Sequence, residues 1–346
     1  MRLGVAIGYW GMGNDAARQL VIVREAERLG YDSVWTAEAY GSDAATVLGW
    51  LAGQTSTIGL GAAVLQIPAR SAAMTAMTAA TLDRLSVGRF RLGLGVSGPQ
   101  VAEGWHGQRY ARPLARTRDY VTVVRMALAR DRVDYQGETL RLPLPDSQGK
   151  ALRLTIAPVQ RPLPIYLAAM GPRNVALAAE IADGWLGFIF SPDHGVAEVR
   201  AALEEGAARG GRDLDGFQVA VTVQARVDDD LEAARDAMRP MIALYVGGMG
   251  SRRQNFYNDL VSRYGFEKAA RTVQDLYLDG RPDAAAAALP DELIDTLSLC
   301  GPPGRVRERM AAFREAGVTL VLTIPVARDV EDAKAQLRLL AELAAA

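Results

Sequence analysis

A single cysteine, Cys300, denies the chain an internal disulfide, and two histidines, His106 and His194, are too few for a histidine-rich metal centre, so no metal is expected. Charge of one sign is not in excess either. Thirty-nine basic against 40 acidic residues leave a formal charge of −1, without the surplus of a nucleic-acid binder. No apolar run reaches the roughly 18 residues that a membrane span needs. The opening MRLGVAIGYWG has neither the basic start nor the cleavage site of a signal peptide, so the expectation is a cytoplasmic protein with no nucleic-acid or membrane partner. What the chain has in quantity is apolar residues, 49% of 346 positions, enough for a large core.

Those apolar residues alternate between two patterns. LGVAIG reads as a short strand, and the next segment places Ala16, Leu20, Val23, Ala26 and Leu29 at helical spacing, with Asn14 or Asp15 as cap and Gly30 as stop. The unit recurs as DSVWTAE, TIGLGAAVLQ and RFRLGLG, each followed by a helical pattern. It resumes with LPIYLAA, GWLGFIF, FQVAVTVQARV and VTLVLTIP. Eight unbroken apolar strands need helices all round them, which predicts an α/β fold of the (β/α)8 TIM-barrel class, with an open doubly wound sheet as the alternative. The surplus length falls at about 131–163 and 247–303. We read both as insertions on the C-terminal face of one domain spanning 1–346.

Gly93, Gly95 and Gly98 spell a literal G-x-G-x-x-G after the fourth strand. A dinucleotide fingerprint should open a helix at once and meet an acid about 20 residues on, at the end of the next strand. Here Pro99 and QVAEGWHGQRY follow, and Asp119 sits inside a helical pattern. A serine-hydrolase elbow fails too, because GVSGP lacks the closing glycine. Two readings stay open: glycines that let backbone approach a ligand at a barrel mouth, or a tight turn with no ligand.

Other strand ends carry polar and small groups to the same face. Glu38, Tyr40 and Ser42 follow strand two; Ala63, Val64 and Gln66 follow strand three; Met170, Gly171, Pro172 and Arg173 follow strand five. A helix starting at Pro172 or Arg173 offers free N–H groups, a positive dipole end and a full charge, which is the chemistry of a phosphate site. An ordinary capped helix is the alternative.

SVWTAEAYGSD, LGAAVLQIPARS, TAATLDRLSVGRFRLGLGVSGPQ, IYLAAMGPRNVALAAEIADGW and GPPGRVRERMAAFREAGVTLVLTIP, taken together and in order, resemble the bacterial luciferase-like superfamily, and within it the coenzyme F420-dependent oxidoreductases. The resemblance covers nearly the whole chain. It implies a (β/α)8 barrel, F420 or alternatively FMN at the carboxyl face, and a homodimer. It also implies cofactor contacts: a cis peptide at Ala63–Val64 behind the ring, Ser97 and Gly98 beside the ring and ribityl chain, and Met170, Gly171, Pro172 and Arg173 around the phosphate. Glu38 matches the family's acid after strand two. Many relatives carry histidine next to that acid, where this chain has Ala39 and Tyr40.

Proton delivery must then come from elsewhere, and Glu38 and His106 are the candidates. Glu38 has a structural alternative, as partner of an arginine. Glu103 reads as a loop hydrogen-bonding group, Trp105 as packing, and His194 and Cys300 as incidental. YVGGMGSRRQNFYND reads as a flexible lid or a dimer contact; Tyr9 and Trp10 floor the pocket or close the barrel top. The expected activity is hydride transfer between F420 and a small-molecule substrate. An FMN-dependent monooxygenase and a non-catalytic flavin or F420 carrier are the alternatives.

Overall fold

A computed structural model describes residues 1–8 and 15–345, so Tyr9, Trp10 and Asn14 lie outside the described residues. Eight parallel strands carry the fold: β1 (Arg2–Ala6), β2 (Ser33–Thr36), β3 (Gly59–Ala62), β4 (Phe90–Gly95), β5 (Ile165–Ala168), β6 (Gly184–Phe188), β7 (Gln218–Val227) and β8 (Leu320–Pro325). Each pairs with its successor, and β8 returns to β1 with Arg2 opposite Leu320, so the sheet closes as the alternation predicts. Closure leaves these eight strands without a free edge, and a short further strand, Ser298–Gly301, adds to the end of β7.

Helices α1 (Ala16–Arg28), α2 (Ala44–Ala52), α3 (Ala72–Leu85), α4 (Pro113–Leu128), α5 (Pro172–Ile181), α6 (Val196–Arg209), α7 (Pro303–Glu315) and α8 (Val330–Ala345) cover the barrel. Local chemistry starts them: Asp15, Asp43 and Ser71 accept from the N–H groups of Arg18, Thr46 and Met74. None of the helices described is long and apolar enough to cross a membrane.

Strand periodicity divides the side chains between two cores. Val5, Val34, Leu60, Leu92, Ile165 and Val221 pack outward under the helices. Trp35, Tyr166, Leu186, Ala220, Leu320 and Leu322 fill the barrel interior, with the Trp35 and Tyr166 rings edge to face at 5.4 Å. Glycines make room for them. A Cβ at Gly61 would lie 2.2 Å from the Trp35 ring, and one at Gly93 would lie 1.8 Å from the Ala62 carbonyl. The first glycine of the G-x-G-x-x-G is therefore a packing residue.

The insertions differ from expectation in two respects. Residues 131–163 join the end of α4 to the start of β5, so they depart from the amino-terminal side and not the carboxyl face. Their hairpin (Tyr135–Gln136 with Arg141–Leu142) climbs the flank of α4, where buried Asp119 accepts from Tyr135 Oη, Thr139 N and Leu140 N. The second insertion stands at the carboxyl face but begins earlier than 247. The helix Leu231–Ala243 belongs to it, because Ala234, Met238 and Ile242 join Leu260, Val273, Leu293 and others in a separate core. The connection from this lobe to β8 is α7, whose covering role the strand-by-strand alternation did not assign.

Candidate active site

The carboxyl ends of β2, β3 and β4 meet through one carboxylate. Glu38, two residues beyond β2, accepts from Ala44 N and Gln66 N at 3.1 Å each and takes a bidentate pair from Arg70, 2.6 Å on both arms. Its side chain is 8% exposed. Four donors leave it no open lone-pair direction, which is the geometry of an anchor. Arg70 also pairs with Asp43. Burial pulls the Arg70 guanidinium down, but the Glu38 carboxylate, with Asp43, more than offsets this and holds it above its ordinary value.

Gln66 continues the network. Its amide nitrogen donates to the Ala39 carbonyl at 2.9 Å, and its amide oxygen stands 2.8 Å from His106 Nε2. Glu38 and His106 were named separately as proton-handling candidates. The structure joins them through Gln66, and the ring of the half-buried His106 has no partner for Nδ1 among the described residues.

Ala63–Val64 is a cis peptide, the bond singled out from the resemblance. Both residues are half-buried and cap the interior cluster. A Cβ at Gly95 would lie 2.8 Å from Val64 Cγ2 and 3.6 Å from Ala168 Cβ, so β3, β4 and β5 converge here, two residues before Met170. Ser97 adopts φ 60° and Ile189, just past β6, φ 55°. Left-handed backbone at non-glycine residues is uncommon and concentrates at ligand sites. Gly98 starts the short helix Pro99–Gly104 with an ordinary φ of −113°.

At the end of β5, Gly171 precedes Pro172 in the first turn of α5, and no side chain caps the helix. Gly171 has φ −86°, and a Cβ there would meet nothing within 4 Å. Neither backbone nor neighbours demand a glycine. Arg173 is exposed and has no hydrogen bond or ion pair among the described residues, whereas most arginines here are paired. Arg263 of the second insertion donates to the Met170 carbonyl at 3.3 Å and pairs with Glu198 at 3.2 Å. Sequence reading missed Arg70 and Arg263, because their partners lie tens of residues away and no local pattern marks them.

The remaining calls divide. Glu103 accepts from Tyr110 N at 3.0 Å, a loop-holding role, and Trp105 is 67% exposed. His194 packs against the Tyr264 and Phe266 rings. Burial pushes the Cys300 thiol up, which makes it inert. The stretch read as a flexible lid is built with firm packing. Cβ atoms at Gly247 and Gly248 would lie 2.6 and 2.4 Å from the Tyr277 side chain, and buried Asn255 caps the following helix while donating to the Val246 carbonyl. Its aromatic residues reach the mouth: Phe188 meets Tyr245 at 4.4 Å and Tyr257 at 5.9 Å, and Tyr110 meets Phe256 at 6.4 Å.

Comparison with known proteins gives a consistent picture. The model of the family described as luciferase-like monooxygenase matches residues 2–320. A Mycobacterium tuberculosis protein named "Putative coenzyme F420-dependent oxidoreductase Rv3520c" is 45% identical over 340 residues, 96% of this chain and 97% of that one. A 5,10-methylenetetrahydromethanopterin reductase from Archaeoglobus fulgidus is 31% identical over 307 residues, 87% of each chain. Among solved structures, the coenzyme F420-dependent tetrahydromethanopterin reductase from Methanopyrus kandleri superposes with a TM-score of 0.82, covering 99% of this chain and 97% of that one; at 23% identity this speaks to the fold.

Proposed function

The chain belongs to the luciferase-like monooxygenase family, and from that premise we propose that it is a coenzyme F420-dependent oxidoreductase acting on a small organic substrate. The observation that carries the reading is the turn after β5. An uncapped helix start, an unpaired Arg173 and a glycine that the protein itself does not require form a cradle suited to a phosphate. A phosphate-bearing cofactor fits these residues by charge and by space. A relative 45% identical and matched over nearly the full length of both chains bears F420 in its name, which favours F420 over FMN.

F420, when bound, supplies hydride exchange at C5 of its deazaflavin. The residues of this chain supply position and charge. Met170, Gly171, Pro172 and Arg173 would hold the phosphate, Ala63 and Val64 would back the ring, and Ser97 and Gly98 would line its side. His106 holds the proton exchanged with the substrate, and Glu38 acts through Gln66 as a positioning residue. The substrate class is a carbonyl, imine, activated C=C or alcohol. The homodimer is proposed on the same footing: Met74, Met77, Thr81 and Leu85 form one exposed, largely apolar face of α3.

Titration of the protein with F420 and with FMN tests the reading. We expect micromolar or tighter F420, weak FMN, and loss of F420 absorbance or fluorescence with one member of a panel of alcohols, ketones, imines and enones. Equal affinity for FMN with oxygen uptake from its reduced form would instead support a monooxygenase. Binding without turnover across the panel would support a carrier.

A further inference from the structure

We propose that Gln66 is a positioning residue that fixes His106 in the Nε2–H tautomer and leaves Nδ1 as the only ring nitrogen able to exchange a proton with substrate. The inference deepens the reading above and rests on it for the role of the proton, but the tautomer follows from hydrogen-bond logic alone. The Ala39 carbonyl only accepts, so the group 2.9 Å from it must be the Gln66 NH2. That orientation turns the Gln66 carbonyl oxygen toward His106 Nε2 at 2.8 Å. A carbonyl oxygen only accepts, so Nε2 must carry the hydrogen. The opposite amide orientation would set oxygen against the Ala39 carbonyl.

Gln66 is suited to this because it is itself immobile. It is 3% exposed, and its backbone N–H is tied to Glu38 Oε2, whose position Arg70 and Ala44 N fix. The chain Arg70–Glu38–Gln66–His106 thus spans three strand ends. In the imidazolium both ring nitrogens carry hydrogen. Loss of the Nδ1 proton returns the ring to the neutral form that Gln66 accepts from; loss of the Nε2 proton would leave two acceptors facing each other at a half-buried contact, which is costly. The charged groups around this chain are Glu38, Asp43 and Arg70 behind Gln66, and Glu103 on the His106 segment, already engaged with Tyr110 N.

The test is ring tautomer assignment by long-range 1H–15N correlation on protein labelled with 15N-histidine, at a pH where the rings are neutral. With two histidines in the chain, His194→Gln assigns the spectrum. A single Nε2–H form for His106 is expected, and an Nδ1–H form or an exchanging mixture would overturn the proposal. Gln66→Met, of similar length without the amide, should convert the single form into a mixture while the F420 dissociation constant stays within about twofold, since Gln66 is not assigned to the cofactor. A variant that keeps the pure Nε2–H form would show that Gln66 does not set it. The wild-type spectrum decides the tautomer even where that variant fails to fold. A pure Nε2–H signal in a protein that ignores F420 would refute the proposed function, and with it the role given to the Nδ1 proton, and leave the tautomer set by Gln66 standing.

Discussion

Glu38→Gln separates a carboxylate that anchors from one that reacts. Whichever end of the new amide becomes NH2, it faces two donors: Arg70 Nη1 and Gln66 N on one side, Arg70 Nη2 and Ala44 N on the other. Two hydrogen bonds are lost and two donor–donor contacts appear. Arg70, with a side chain 14% exposed, keeps Asp43 as its remaining counter-charge. Hydrogen bonds to charged groups contribute about 1.5 to 3 kcal/mol each, and removing one partner of a buried ion pair costs about 3 to 5 kcal/mol. With Asp43 softening the loss, we expect about 3 kcal/mol. That corresponds to roughly 6 to 12 °C in melting temperature, toward the lower end in a chain this long. Calorimetry with equilibrium urea unfolding measures it. A cycle with Arg70→Met should show strong coupling between the two sites, the double variant losing much less than the sum. A Glu38→Gln protein that melts with the wild type but has lost F420-linked turnover would refute the anchor reading and return Glu38 to the chemistry.

Arg173→Ala should leave stability unchanged, because Arg173 has no partner among the described residues to lose, and should weaken F420 about tenfold, the lower end for a charge-assisted contact at an exposed site. Gly171→Val should likewise fold normally, since its φ suits any residue and its Cβ position is open, yet lose cofactor affinity; tight F420 binding by both variants would move the phosphate elsewhere. Acid should unfold the protein over a defined window. Hydrogen bonds from Arg28, reinforced by Arg338, outweigh burial and hold the Glu25 carboxyl at about 2, and the bonds of Arg328 and Arg226 outweigh burial at Asp332, also at about 2. Lowered folded-state values mean stability that is complete above the free carboxyl range near pH 4 and lost as pH falls toward 2; Glu25→Gln should flatten that part of the urea-midpoint profile. Met74→Glu with Met77→Glu should yield monomers by light scattering, and a wild-type chain that is already monomeric would remove the proposed interface.

Each βα unit is a local pattern, and local pattern is what a sequence displays. Eight apolar strands separated by helical periodicity favour a closed barrel over an open doubly wound sheet, and closure puts every strand's carboxyl end on one face, so Glu38, Ala63, Ser97 and Gly171 are legible in the sequence as residues of one face. Which of them touch was not. Arg70 lies 32 residues from Glu38, His106 40 from Gln66, and Arg263 93 from Met170. A period states which way a side chain points; its partner depends on strand register, loop path and the placement of the second insertion, none of which leaves a mark within a window of sequence. The same limit explains the glycines. Gly61 and Gly93 are small because Trp35 and the Ala62 backbone occupy the space beside them, and Gly247 and Gly248 because Tyr277 does, so what reads in the chain as flexibility, a tight turn or room for a ligand is, in three dimensions, room made for a neighbour.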